Sequence, residues 1–268
     1  MAVYTEVSDE ELARFLAPYE LGRIVAFKGI AEGVENSNFL LRTESDNFIL
    51  TLYEKRVRRE DLPFFLGLMQ HLAGQGIHVP QPVATHSGET LRELNGRPAA
   101  LFTFLEGLWP RRVHGWHCQA LGANLARLHL ATASYRVERP NDLSVDGWRR
   151  LLELPREGAD GVVAGLAEEL DRDFRDIVQH WPDHLPAGVI HADLFPDNVF
   201  FLGEELSGLI DFYFACNDFY VYDLAICLNA WCFEPDQAFN VTKAGAFLNA
   251  YTRTRKLSEA EQNVLPLL

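Results

Sequence analysis

Basic residues are scarce in this chain: 24 Lys and Arg stand against 38 Asp and Glu in 268 residues, a formal net charge of −14. A surface of that sign lacks the clustered cations a nucleic-acid backbone requires, so no nucleic-acid partner is expected. A nucleotide is not excluded, because its phosphates can be met locally by a divalent cation, backbone N–H groups and one or two basic side chains. Long apolar runs are also missing. None approaches the ~20 residues of a membrane span, and the acidic first eleven residues contain no apolar signal region. No membrane association is expected, and the reading is a soluble, cytoplasmic protein. Cysteine is limited to Cys118, Cys216, Cys227 and Cys232, with no C-x-x-C pair and apolar surroundings. They read as buried thiols of a reducing compartment. Neither G-x-x-x-x-G-K-[ST] nor G-x-G-x-x-G occurs, which removes the P-loop and the dinucleotide fingerprint.

What is present suits an ordinary globular protein: 48% hydrophobic and 23% charged residues. Ser8 with Asp9, Glu10 and Glu11 predicts a capped helix over about 8–18. Short apolar runs at 23–28, 38–43 and 47–53 predict antiparallel strands. Residues 61–74 predict a helix. Residues 90–93 and 97–104 predict a hairpin closing on Asn95-Gly96. Beyond residue 105 helical periodicity dominates, over 116–131, 146–154, 161–181, 223–231 and 243–251. Short apolar runs interrupt it at 189–191, 199–202 and 206–212. The expectation is an α+β fold of two lobes: a β-rich first lobe over 1–104 and a mainly helical second lobe over 105–268, with a ligand cleft between them.

The strongest chemical signal is H-A-D-L-F-P-D-N, His191 to Asn198, followed by L-I-D-F with Asp211 thirteen residues beyond Asn198. Phosphoryl transfer asks little of a protein. One carboxylate must sit beside the attacking hydroxyl, and oxygen ligands must hold Mg²⁺ against the phosphates. Asp193 suits the first role, and Asn198 with Asp211 the second. Apolar segments on both sides would hold these polar groups rigidly.

These motifs resemble the catalytic and metal-binding motifs of the aminoglycoside phosphotransferase/choline kinase superfamily, which has a protein-kinase-like fold. The stretches 33–39, 48–56 and 217–229 resemble its homoserine kinase branch. The resemblance implies an ATP- and Mg²⁺-dependent kinase acting on a small-molecule hydroxyl, with L-homoserine as the implied acceptor, in threonine biosynthesis. It implies Asp193 as base, Asn198 and Asp211 as Mg²⁺ ligands, Asp223 as a brace for the catalytic loop and His191 as its support. Gly33, Asn36, Ser37 and Asn38 would cover the nucleotide phosphates, and the backbone around Thr103 and Leu105 would meet the adenine. Tyr213, Asn217 and Trp231 would face the acceptor.

Two departures from the family pattern stand out. Thr51 occupies the place of the usual third-strand Lys or Arg, leaving Lys55 or Lys28 as substitutes. The chain also stops within a helical pattern at Leu268, where relatives continue, so a truncated second lobe is expected. Two alternatives remain: a different acceptor, such as choline or an aminoglycoside, and a non-catalytic nucleotide-binding pseudokinase. His114-x-x-His117-Cys118 has metal-like residue types but no second ligand pair, so no metal site is expected there.

Overall fold

The computed structural model describes residues 5–31, 36–54, 57–153 and 156–268. Gly33 and Lys55 lie outside the described residues. The chain opens with α1 (Asp9–Leu16), whose N-terminus is a reciprocal cap. Ser8 Oγ accepts from the Glu11 N–H, and the Glu11 carboxylate accepts from the Ser8 N–H. Strands β1 (Ile24–Gly29), β2 (Ser37–Thr43) and β3 (Asn47–Leu52) follow. After helix α2 (Leu62–Gly74) come β4 (Arg92–Leu94) and β5 (Arg97–Thr103). The five strands form one antiparallel sheet in the order β1-β2-β3-β5-β4. Asn95 and Gly96 both take positive φ, 51° and 71°, as a two-residue hairpin turn demands.

The period of two along the strands divides this sheet into two faces. Phe39, Leu41, Leu50, Leu52, Ala99 and Leu101 point to one side and pack on Leu12, Phe15 and Leu16 of α1. Tyr53, Ala100 and Phe102 join a second, larger core with α2 and the helical lobe.

That lobe contains α3 (Gly115–Thr132), α4 (Val145–Glu153), α5 (Arg156–Val162), α6 (Leu166–His180), α7 (Tyr220–Trp231), α8 (Val241–Thr254) and α9 (Glu259–Val264). Helices α3 and α8 touch so closely that a methyl group on Gly122 would run into the Phe247 carbonyl. Four short strands form two separate pairs. Strand β6 (Ala187–Ile190) pairs with β9 (Cys216–Phe219), and β7 (Val199–Leu202) with β8 (Glu205–Leu209), all antiparallel. The segment between the lobes crosses the β7–β8 pair at Gly107, with φ 140°, where a side chain would meet Ser207 and the Phe201 carbonyl.

The predicted helix over 161–181 is two helices. Gly165 at φ 84° precedes α6, and a left-handed residue cannot continue a right-handed helix. Strand β9 has no apolar alternation and is recognisable only by its pairing with β6. All four cysteines are buried. Among the described residues no helix is long and apolar enough to cross a membrane.

Candidate active site

Strand β6 ends at Ile190 and β7 begins at Val199, so residues 191–198 form a loop between two anchored strands. The loop closes on itself. The Asn198 amide donates to the Asp193 carbonyl (2.8 Å) and to its Oδ2 (3.0 Å), the Phe195 N–H to the Asp193 carbonyl (2.9 Å), and the Asn198 N–H to the Phe195 carbonyl (3.0 Å). Trp231 Nε1 donates to the Leu194 carbonyl (2.6 Å) from within the core. The Ile210 N–H donates to the Asn198 carbonyl (3.0 Å), which brings Asp211 alongside. Asp193, Asn198 and Asp211 therefore converge in one place.

The Asn198 Oδ1 receives no hydrogen bond from the described residues, although Asn198 is only 9% exposed. Asp211 stands at φ 64°, ψ 60°, at the exposed turn after β8. One neutral and one anionic oxygen ligand would suit a hard divalent cation such as Mg²⁺.

Asp223, the fourth residue after β9, is fully buried and fastens the loop from below. Its Oδ1 accepts from the Ala192 N–H (3.0 Å). Its Oδ2 accepts from the His191 N–H (2.9 Å) and from His129 Nε2 (3.1 Å). These bonds matter because Ala192 stands at φ 63°, a left-handed conformation that costs a residue with a Cβ about 1 kcal/mol or more. Asp223 thus holds a strained peptide directly before Asp193. Burial opposes ionisation of Asp223, but hydrogen bonding and charge from His129 and His191 outweigh it, and the carboxyl sits below its usual range.

His191 is fully buried, and burial lowers its pKa to about 4. The ring is therefore neutral near pH 7. Its Nε2–H donates to the Ile210 carbonyl (2.9 Å), and its Nδ1 accepts from the Asp193 N–H (3.3 Å). His129 is likewise lowered, chiefly by burial. Both rings resist protonation when folded, whereas an unfolded histidine accepts a proton near pH 6.5. The stabilisation is fully present above pH 6.5 and declines as pH falls below it, for His191 down to about 4 at about 1.4 kcal/mol per pH unit, with His129 adding a decline of the same sign. Urea unfolding at pH 7, 6 and 5 should show this decline, with a shallower slope in His191→Gln; a flat profile from pH 7 to 5 would contradict it.

Asn38 and Thr51 are paired on neighbouring strands of the sheet, with Thr51 Oγ1 donating to Asn38 Oδ1 (2.8 Å). Neither side chain carries a charge. Lys28 lies exposed on β1. Ser37 faces the opposite side of the sheet, contrary to its expected place over the phosphates. It is fully buried and donates to Glu54 Oε1 (2.8 Å), because neighbours on a strand point to opposite faces. Asn36 Oδ1 receives the Glu54 N–H (3.4 Å). Thr103 is engaged with Gln81 through both its N–H and its hydroxyl. At Leu105 neither the N–H nor the carbonyl has a hydrogen bond among the described residues, which leaves both available to a ligand.

Of the three residues expected at the acceptor, Trp231 and Tyr213 have their polar groups engaged, while the side-chain NH2 of Asn217 has no hydrogen bond among the described residues. Trp231 is 1% exposed, and its indole N–H is given to the loop over 191–198. Tyr213 turns toward the sheet. Its hydroxyl meets that of Tyr53 (3.0 Å), and its ring stands edge-on to Phe65. Burial pushes both phenols well above their ordinary range. Asn217 Oδ1 accepts the Arg139 N–H (2.8 Å), so its amide fixes a neighbouring segment. Arg139, which the sequence reading overlooked, bonds Asp61 (2.9 Å), Asp142 (2.9 Å) and the Ala215 carbonyl (3.3 Å) and so braces the turn after Asp211. His117 accepts the His114 N–H through Nδ1 (3.0 Å), so this pair caps α3.

Residues 26–257 match the phosphotransferase enzyme family. The chain belongs to that family. Phosphotransferase relatives similar over the whole chain include the homoserine kinases of Nitrobacter winogradskyi, 63% identical and covered to 82% of its length, and of Agrobacterium fabrum, 60% identical and covered to 83%. Among solved structures, a microcompartment-associated aminopropanol kinase superposes with a TM-score of 0.76 at 19% identity, over 98% of this chain and 85% of that one. An amicoumacin kinase in complex with AMP-PNP and Ca²⁺ gives 0.72 at 17% identity, over 97% and 82%. The two-lobed, kinase-like α+β fold of this phosphotransferase is therefore shared with these enzymes.

Proposed function

We propose that the protein transfers the γ-phosphoryl group of ATP to the side-chain hydroxyl of L-homoserine, giving O-phospho-L-homoserine in the cytoplasm. The observation that carries this reading is the convergence of Asp193, Asn198 and Asp211 on one rigid loop system, in a chain about 60% identical to curated homoserine kinases along its whole length. Asp193 orients the acceptor hydroxyl and takes its proton. Asn198 has two duties: its amide N–H holds the Asp193 carboxylate, and its Oδ1, with Asp211, would hold Mg²⁺. When bound, that cation offsets charge on the β- and γ-phosphates. The Leu105 backbone meets the adenine, and Asn38 with Thr51 faces the nucleotide without supplying a charge. Positioning and electrostatics account for most of the acceleration.

The deciding experiment is ADP release with Mg²⁺·ATP and homoserine, choline or an aminoglycoside in parallel. The expected result is turnover with homoserine at least ~100-fold more efficient than with the other two, since a site built for one acceptor's polar groups rejects analogues lacking them by large factors. Preference for choline or the aminoglycoside would replace the acceptor. Tight nucleotide binding with no turnover of any acceptor would identify a nucleotide-binding module instead.

A further inference from the structure

Asp223 does not end the set of buried bonds beneath the catalytic loop. His129 Nδ1 lies 2.7 Å from the Tyr251 hydroxyl. Arg255 Nη1 reaches the same hydroxyl at 3.1 Å, and Arg255 Nη2 bonds Glu261 Oε1 at 2.8 Å. His129, Tyr251 and Glu261 are each 1% exposed or less. Glu261 is fixed in turn by the N–H and hydroxyl of Ser258. The line of contacts therefore runs from α9 through the end of α8 and the last turn of α3 to the strained peptide before Asp193.

The donors and acceptors along this line have one consistent direction. A guanidinium only donates, so the Tyr251 oxygen accepts from Arg255 and its own proton points to His129. The His129 Nδ1 then accepts, and Nε2–H donates to Asp223 Oδ2. Burial supports each state, since it keeps the phenol protonated and the imidazole neutral.

We infer that Tyr251 is a positioning residue for phosphoryl transfer: by fixing the His129 tautomer it orients the Asp223 carboxylate that holds Ala192, and hence Asp193, in place. This inference rests on the reading of Asp193 as the base. Without the Tyr251 hydroxyl, Nδ1 loses its donor inside the core, and the ring can reverse its tautomer and turn its N–H away from Asp223.

The test is Tyr251→Phe, alone and combined with His129→Gln, with two readouts. In turnover, Tyr251→Phe should lower kcat about tenfold, the scale of one lost hydrogen bond, while KM for ATP and for the acceptor stays within about twofold. Added to His129→Gln, it should cost little more, because the tyrosine acts through the histidine. Ring ¹⁵N NMR of His129 should show the Nε2–H tautomer in the wild type and a mixture in Tyr251→Phe. An unchanged kcat, losses that multiply in the double variant, or an Nδ1–H tautomer in the wild type would each overturn the inference. Should a variant not fold, the wild-type tautomer still decides. If the wild type turned over no acceptor, the function reading would fail, while the NMR result would still test the geometry.

Discussion

Replacing Asp193 with Asn is expected to lower kcat about 10³-fold, with KM for ATP changed by less than about threefold. A positioned general base contributes roughly 10²–10⁴ to a rate, and the proposed function gives this carboxylate the hydroxyl proton. The substitution is conservative in shape, since an amide oxygen can still receive the Asn198 N–H now given to Oδ2 at 3.0 Å. The loop geometry should survive, the melting temperature should stay within about 2 °C of the wild type, and the loss should fall on kcat alone. Steady-state kinetics with thermal melts would check this. A variant retaining more than a tenth of wild-type kcat would take the base role away from Asp193.

Asp223→Asn is expected to have the largest effect on stability. The carboxylate offers two acceptor oxygens to three buried donors: the N–H groups of His191 and Ala192, and Nε2–H of His129. An amide replaces one acceptor with a donor, so at least one buried N–H would face another N–H. Breaking a buried charged network of this kind costs about 3–5 kcal/mol. The strained Ala192 peptide would also lose its restraint, so the folded fraction should turn over substantially more slowly. Urea denaturation would measure the first effect and kcat per folded enzyme the second. A stability change below about 1 kcal/mol would show that Asp223 does not hold the loop.

The fold was largely legible from local signals. The Ser8–Glu11 cap, the Asn95-Gly96 turn and the alternating strands each carry their structure within a few residues. The candidate site residues His191, Asp193, Asn198 and Asp211 stand out in sequence because they lie close together along the chain. Partners were not legible. His129 sits beside the apolar stripe of α3, and a histidine there signals a buried bond, but Asp223 and Tyr251 lie 94 and 122 residues away. Strand parity separates Ser37 from Asn38, yet which face looks into the cleft depends on where α1 packs. Trp231 and Tyr213 follow the motif closely enough to suggest the acceptor, and only the fold shows that one holds the loop and the other meets Tyr53. Strand β9 was missed because Cys-Asn-Asp-Phe has no apolar rhythm, and its pairing with β6 joins residues about thirty apart.

The bonds on Asp223 also bear on how the molecule breathes. Residues 191–198 are a loop by shape, and loops ordinarily exchange their amide hydrogens by small local openings. Here the amides of His191 and Ala192 close on a carboxylate with no exposed surface, so a local opening would strand that charge in the interior. The low-energy route to solvent is therefore shut, and these two amides exchange when the second lobe itself unfolds. The most irregular backbone of the site is thus expected to exchange with a buried core rather than with a surface loop.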